Sequence, residues 1–209
     1  MIKALILDYG NVISKAAVGD CCLTMEKETG IPAEIFRNVY EEFRFDFDLG
    51  YITGAEMYRR LLVSKGYEEI AANSALMEKI ARIDLESWKY FHQDVTDWAL
   101  DLQKKGFKLG ILSNMPYEFL DLYEKDIPLF VAADCAIFSC RVHRMKPDAA
   151  IYHDVLEGLA IKPEEAVFFD DVEENVIAAQ NLGIHAFVWK DLTQGKKDLA
   201  TLYCKSYNS

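Results

Sequence analysis

Four polar clusters in this chain follow short apolar runs. Asp8 comes after Lys3 to Leu7, Ser113-Asn114 after Phe107 to Leu112, and Asp170-Asp171 after Ala166 to Phe169, while Lys146 lies in the loop beyond Cys135 to Phe138. Brought together, they offer three carboxylates, a hydroxyl and an ammonium. Such a set can hold a hard divalent cation, since Mg²⁺ prefers octahedral oxygen ligands, few of them protein carboxylates, the rest water and substrate phosphate. A helix opening near Pro116 offers backbone N–H groups to a phosphate, and Lys146 can pair with both a carboxylate and that phosphate. A carboxylate facing a cation-held phosphoryl group is a nucleophile; it forms an aspartyl-phosphate that water later cleaves. Singly, each cluster has a plainer reading. Acidic residues after strands are usually turn formers or helix caps, and Lys146-Pro147-Asp148 is an ordinary helix start.

The clusters converge only if the runs before them are neighbouring parallel strands, because ligands bind outside the carboxyl ends of such strands. The pattern predicts this. After Trp88 the chain alternates helix and strand: a helix from Asp94 to Lys105 stopped by Gly106, strands at 107–112, 135–138, 166–169 and 186–189, and helices between them, with a polar tail after the last strand. Strands alternating with helices imply an α/β fold, a Rossmann-like parallel sheet covered on both faces. Ser14 to Leu85 is different. Ile35, Val39 and Phe43, and again Met57, Leu61 and Leu62, recur at helical spacing. Thr53 with Glu56 reads as a helix start and Gly66 as a stop. The expectation is an inserted bundle of about four helices, broken at Gly50 and Gly54, with hinges at both ends. The domains are then 1–13 with 86–209 as the core and 14–85 as a helical cap.

In their order, four stretches resemble the haloacid dehalogenase (HAD) superfamily across essentially the whole chain: Leu-Ile-Leu-Asp8-Tyr-Gly-Asn-Val, Gly-Ile-Leu-Ser113-Asn, Arg-Met-Lys146-Pro-Asp-Ala-Ala-Ile-Tyr and Val-Phe-Phe-Asp170-Asp171-Val-Glu-Glu-Asn. The resemblance implies that Asp8 is the nucleophile, that Ser113 binds phosphate with Asn114 contributing, and that Lys146 serves both catalysis and phosphate binding. It also implies that Asp8, the Gly10 carbonyl and Asp171 hold Mg²⁺, with Asp170 as a further or water-mediated partner and Asn175 in a supporting position. The implied activity is Mg²⁺-dependent hydrolysis of a small phosphorylated metabolite.

One position departs from the family pattern. Most phosphatases of the family carry an acid/base Asp two residues after the nucleophile, where this chain has Gly10; such a group contributes ~10²–10⁴-fold. Three readings stand open. A phosphatase can use another group, or a substrate whose leaving group needs little protonation; sugar-1-phosphates fit, and the Asp-x-Gly-Asn-Val form resembles a branch that includes their phosphatases. A 2-haloacid dehalogenase needs no such acid, but dehalogenases resemble one another in lacking the acidic pair that this chain keeps. A non-catalytic HAD-like protein would hold a phosphorylated ligand as a binding or regulatory module.

The 209 residues are 51% apolar and 27% charged, the balance of an ordinary globular protein. Lys and Arg number 23 against 34 Asp and Glu, a net charge of −11, which argues against nucleic acid as a partner. No apolar stretch approaches the ~20 residues of a membrane span. Five cysteines without framework spacing, and a start that runs directly into a strand, predict a reducing cytoplasm. No heptad or exposed apolar stripe points to an oligomer. Cys135, Cys140 and His143 read as structural rather than zinc-binding. Phe43, Phe45 and Phe47, alternating with Arg44, Asp46 and Asp48, form the most informative segment of the insertion. They read as core packing with a solvated face, unless Arg44 or a neighbour reaches the site and selects the substrate.

Overall fold

A computed structural model describes residues 1–15 and 20–205. Residues 16–19 of the expected insertion and 206–209 of the expected tail lie outside the described residues. Five strands, β1 (Ala4–Leu7), β2 (Lys108–Ser113), β3 (Cys135–Phe138), β4 (Ala166–Asp170) and β5 (His185–Val188), form one sheet in the order β3-β2-β1-β4-β5. Every pairing is parallel. β1 and β4 are wholly buried, as strands covered on both faces must be. Their side chains alternate between two cores. Leu5, Leu7, Ile111 and Phe169 pack on one face, and Ala4, Ile6, Leu112 and Phe168 on the other.

The described residues of the expected insertion carry the helices α1 (Cys21–Thr29), α2 (Ala33–Arg37), α3 (Val39–Glu42), α4 (Arg44–Asp48), α5 (Gly54–Ser64), α6 (Glu68–Ala71) and α7 (Ser74–Ser87). These are seven rather than about four, because short helices fill the turns between the three long ones. Thr53 caps α5 by accepting from Glu56 N at 3.1 Å, as its position in the sequence predicts. The Glu56 carboxylate turns instead to Arg59 and Arg60. α7 runs to Ser87, two residues past the expected boundary. The two passages between this helical stretch and the sheet lie side by side. Ser14 pairs antiparallel with Phe91, Lys15 N donates to Tyr90 O at 2.8 Å, and His92 N donates to Ile13 O at 2.8 Å.

The remaining helices are α8 (Gln93–Lys104), α9 (Tyr117–Tyr123), α10 (Pro128–Ala132), α11 (Ser139–Val142), α12 (Ala149–Gly158), α13 (Glu173–Asn181) and α14 (Leu192–Lys205). α14 replaces the expected polar tail. It sets Leu199 into the core and brings Gly195 so close to Trp189 that an added Cβ would meet the indole at 2.4 Å.

Candidate active site

The register fixes where the polar clusters go. Leu7 pairs with Ile111 on one side and with Phe169 on the other, so Asp8, Ser113 and Asp170 leave the sheet at the same edge. Asp8 N donates to Phe169 O at 3.0 Å, which keeps the residue in line with the strand. β1 is where the strand order reverses, with β2 and β3 to one side and β4 and β5 to the other, and this is the crevice in which open α/β sheets bind ligands.

Lys146 is buried, and its Nζ lies 2.8 Å from Asp8 Oδ1 and 2.5 Å from Asp170 Oδ2. Burial alone would lower its pKa, but the two carboxylates outweigh that and hold it above the ordinary lysine value. Its loop is fastened by Asn114, whose Oδ1 accepts from Lys146 N at 2.8 Å and whose Nδ2 donates to Lys146 O at 3.0 Å. The Asn114 side chain is therefore engaged with the lysine's main chain through both its oxygen and one N–H of its amide.

Asp170 is fully buried. Its Oδ1 accepts from Val172 N at 2.8 Å and from Asn175 Nδ2 at 3.1 Å, and its Oδ2 also faces Asn175 Nδ2 at 3.2 Å. Asp171 accepts from Asn11 Nδ2 at 2.8 Å. Asn11 reaches it from a left-handed backbone at φ 52°, a conformation that Asn tolerates better than most residues, with its own N–H donating to Ser14 Oγ at 3.0 Å. The sequence carried Asn11 only as part of the Asp-x-Gly-Asn-Val form, with no sign of its bond to Asp171.

Oxygens of Asp8, Asp170 and Asp171 lie within 4.8 Å of one another, the one such grouping of potential metal ligands among the described residues. Burial pushes the Asp8 carboxyl up to about 7, and Asp170 and Asp171 add to the shift while Lys146 opposes it. Asp8 Oδ1 is buried, 2.8 Å from the ammonium. Three carboxylates facing one ammonium leave negative charge in excess, which fits a hard divalent cation. Cys135, Cys140 and His143 form no such grouping. His143 Nδ1 lies 2.9 Å from Leu49 O and its ring stacks on Tyr51.

A cavity of about 150 Å³ lies between this edge and the helical stretch. Tyr9, Gly10, Ser113, Asn114, Met115, Pro116 and Phe119 line it from the sheet side, and Arg44, Asp48, Leu85 and Trp88 from the other. Arg44 thus does reach the cavity. It is not a lone cation, because its Nε donates to Asp48 Oδ1 at 2.9 Å and its Nη1 to Asp84 Oδ2 at 3.0 Å. Asp84 occupies a core position of α7, in register with Met77, Ile80 and Ala81, where a carboxylate must be paired.

A family model for haloacid dehalogenase-like hydrolases matches residues 10–183. Among curated proteins, drimenol cyclase drtB of Aspergillus calidoustus is 25% identical over 205 residues, covering 97% of this chain and 37% of that protein. A glyceraldehyde 3-phosphate phosphatase of Methanothermobacter thermautotrophicus is 30% identical over 109 residues, covering 50% of this chain and 47% of that protein. The chain thus spans less than half the length of these relatives. Among solved structures, the HAD family enzyme bt-2542 of Bacteroides thetaiotaomicron, in complex with magnesium and inorganic phosphate, superposes with a TM-score of 0.72 at 22% identity, covering 93% of this chain and 98% of that one. L-2-haloacid dehalogenase of Xanthobacter autotrophicus superposes at 0.66 and 20% identity, covering 89% and 76%. No helix of the described residues is long and apolar enough to cross a membrane.

Proposed function

The chain belongs to the haloacid dehalogenase-like hydrolases, and from that premise we propose that it is a Mg²⁺-dependent phosphatase of a small phosphorylated metabolite, a sugar phosphate being the favoured class. The observation that carries this reading is the convergence of three carboxylates, Asp8, Asp170 and Asp171, on one ammonium, Lys146. A haloacid substrate would bring its own carboxylate toward these three. A phosphate ester bound together with a divalent cation matches the charge.

In this reading Asp8, Asp171 and the Gly10 carbonyl hold Mg²⁺, and Asp170 is kept by Lys146 and Asn175 as a partner beside it. Bound there, the cation would supply neutralisation of charge on the transferring phosphoryl group. Asp8 attacks phosphorus. Lys146 pairs with the phosphoryl oxygens, Ser113 binds them by its hydroxyl, and Asn114 keeps Lys146 in place. Water then cleaves the aspartyl-phosphate. Residues 1–13 and 86–209 form the catalytic core, and 14–85 a cap whose closure excludes bulk water from the transfer step. The described cysteines are free, which suits a cytoplasmic setting.

Phosphate release from a panel of phosphorylated metabolites, with and without Mg²⁺, tests the proposal. Turnover that requires Mg²⁺ and is lost in Asp8→Asn is expected. Mg²⁺ binding with no release from any compound would instead favour a module that holds a phosphorylated ligand.

A further inference from the structure

Gly10 leaves the departing oxygen of the substrate without the usual proton donor, and the opposite wall of the cavity carries a carboxyl. We propose that Asp48 is the general acid of phosphoryl transfer and the general base of the hydrolysis that follows, an inference that rests on the phosphatase reading. At Gly10 itself there is no side chain to take this role. Asp48 lines the same cavity as Gly10 and Ser113, from the side of the helical insertion.

Its placement is fixed through both main chain and side chain. The Asp48 carbonyl accepts from Ser139 Oγ at 2.5 Å, and the next carbonyl, of Leu49, lies 2.9 Å from His143 Nδ1. Gly50 follows at φ 76°, packed so tightly on Tyr117 that a Cβ there would lie 2.5 Å from the ring. In the side chain, Oδ1 is held by Arg44 Nε, and the same guanidinium holds Asp84. Two buried carboxyls thus meet one guanidinium. Of the two, it is Asp48 that lines the cavity. Burial raises the Asp48 pKa above the ordinary aspartate value, with Arg44 opposing and Asp84 adding.

The steps balance. The bond from Asp8 to phosphorus forms as the bond from phosphorus to the leaving oxygen breaks, and the Asp48 proton passes to that oxygen, which departs as an alcohol. Water then attacks phosphorus and gives its proton to the Asp48 carboxylate. The bond from Asp8 to phosphorus breaks, releasing phosphate and restoring both carboxyls.

Asp48→Asn keeps an oxygen for Arg44 but has no proton to transfer. The test compares p-nitrophenyl phosphate, whose leaving group departs without protonation, with glycerol 1-phosphate and glucose 6-phosphate, whose leaving groups need it. Wild-type turnover of p-nitrophenyl phosphate, lost in Asp8→Asn, first checks the phosphatase reading on its own. Asp48→Asn is then expected to lower kcat/KM for the alkyl phosphates by ~10²-fold or more; for p-nitrophenyl phosphate kcat/KM, which reports only the first transfer, should change by no more than about threefold, while kcat falls because hydrolysis of the aspartyl-phosphate loses its base. Equal losses of kcat/KM on both substrate types would overturn the proposal and leave Asp48 as a structural partner of Arg44. A wild type that hydrolyses p-nitrophenyl phosphate but neither alkyl phosphate would overturn it as well.

Discussion

Asp8 holds its proton more tightly in the folded protein than an ordinary aspartate does, its pKa rising from 3.8 to about 7. The sign of the consequence follows from proton linkage. The folded state binds the proton better, so this group favours folding at low pH; that contribution declines as pH rises from about 4 and is gone above about 7. Without metal, Asp8→Asn should therefore gain stability relative to wild type between pH 4 and pH 8, by up to a few kcal/mol at ~1.4 kcal/mol per pH unit. Urea unfolding at several pH values checks this, and the gap should narrow when Mg²⁺ is added. Asn11 offers a second test. Asn11→Gly keeps the left-handed backbone while removing the hydrogen bond to Asp171. Its Tm should stay near that of wild type, whereas the Mg²⁺ concentration for half-maximal activity should rise ~10-fold or more, as expected when a ligand loses its supporting partner. That the sheet edge gathers Asp8, Ser113 and Asp170 was legible because each follows an apolar run, with Lys146 in the loop beyond another. The hydrogen bonds of Asn11 and Asn114 were not, since an amide's partners depend on what folding brings opposite it.

At the scale of elements, the stretch from Asp48 to Gly54 joins the helical insertion to the sheet side. Ser139, His143 and Tyr117 meet it as described, and Glu118 on α9 accepts from Gly54 N at 2.9 Å, at the start of α5. Gly50→Ala would force a side chain into a left-handed backbone and against Tyr117. A loss of ~2 kcal/mol is expected from the backbone and overpacking costs, or about 4–8 °C in Tm for a chain of this size. Thermal unfolding measures it. The long helices α5 and α7 were legible from their periodicity and caps. The short helices α2, α3, α4 and α6 were not, because four or five residues carry too little period to read. The missed α14 shows a different difficulty. Its apolar residues, Leu192, Leu199 and Leu202, are sparse among Lys and Asp, and its glycine is explained only by the face of Trp189 above it.

Across the whole molecule, the parallel sheet and the helical insertion after the first strand were both legible, since strand–helix alternation and helical periodicity occupy separate stretches of the chain. The order β3-β2-β1-β4-β5 was not, because nothing in a single sequence says which side of β1 each later strand takes. That topology also poses a folding problem. Leu7 must find Ile111, more than a hundred positions later, before the sheet can begin at its centre, and contacts so distant in sequence slow folding. The paired passages at Ser14 and Phe91 shorten that search. Once Ile13 and His92 are joined, the helical stretch becomes a closed side loop, and the chain between β1 and β2 behaves as a short connection. His92→Pro would remove the N–H that donates to Ile13 O at a residue whose φ of −82° lies close to what proline requires. Stopped-flow measurements should then show slower refolding with little change in the unfolding rate, as expected where a contact forms before the rate-limiting step. The insertion's two neighbouring ends would thus serve as a splint for the sheet, letting the central strand pair as though most of the intervening sequence were absent.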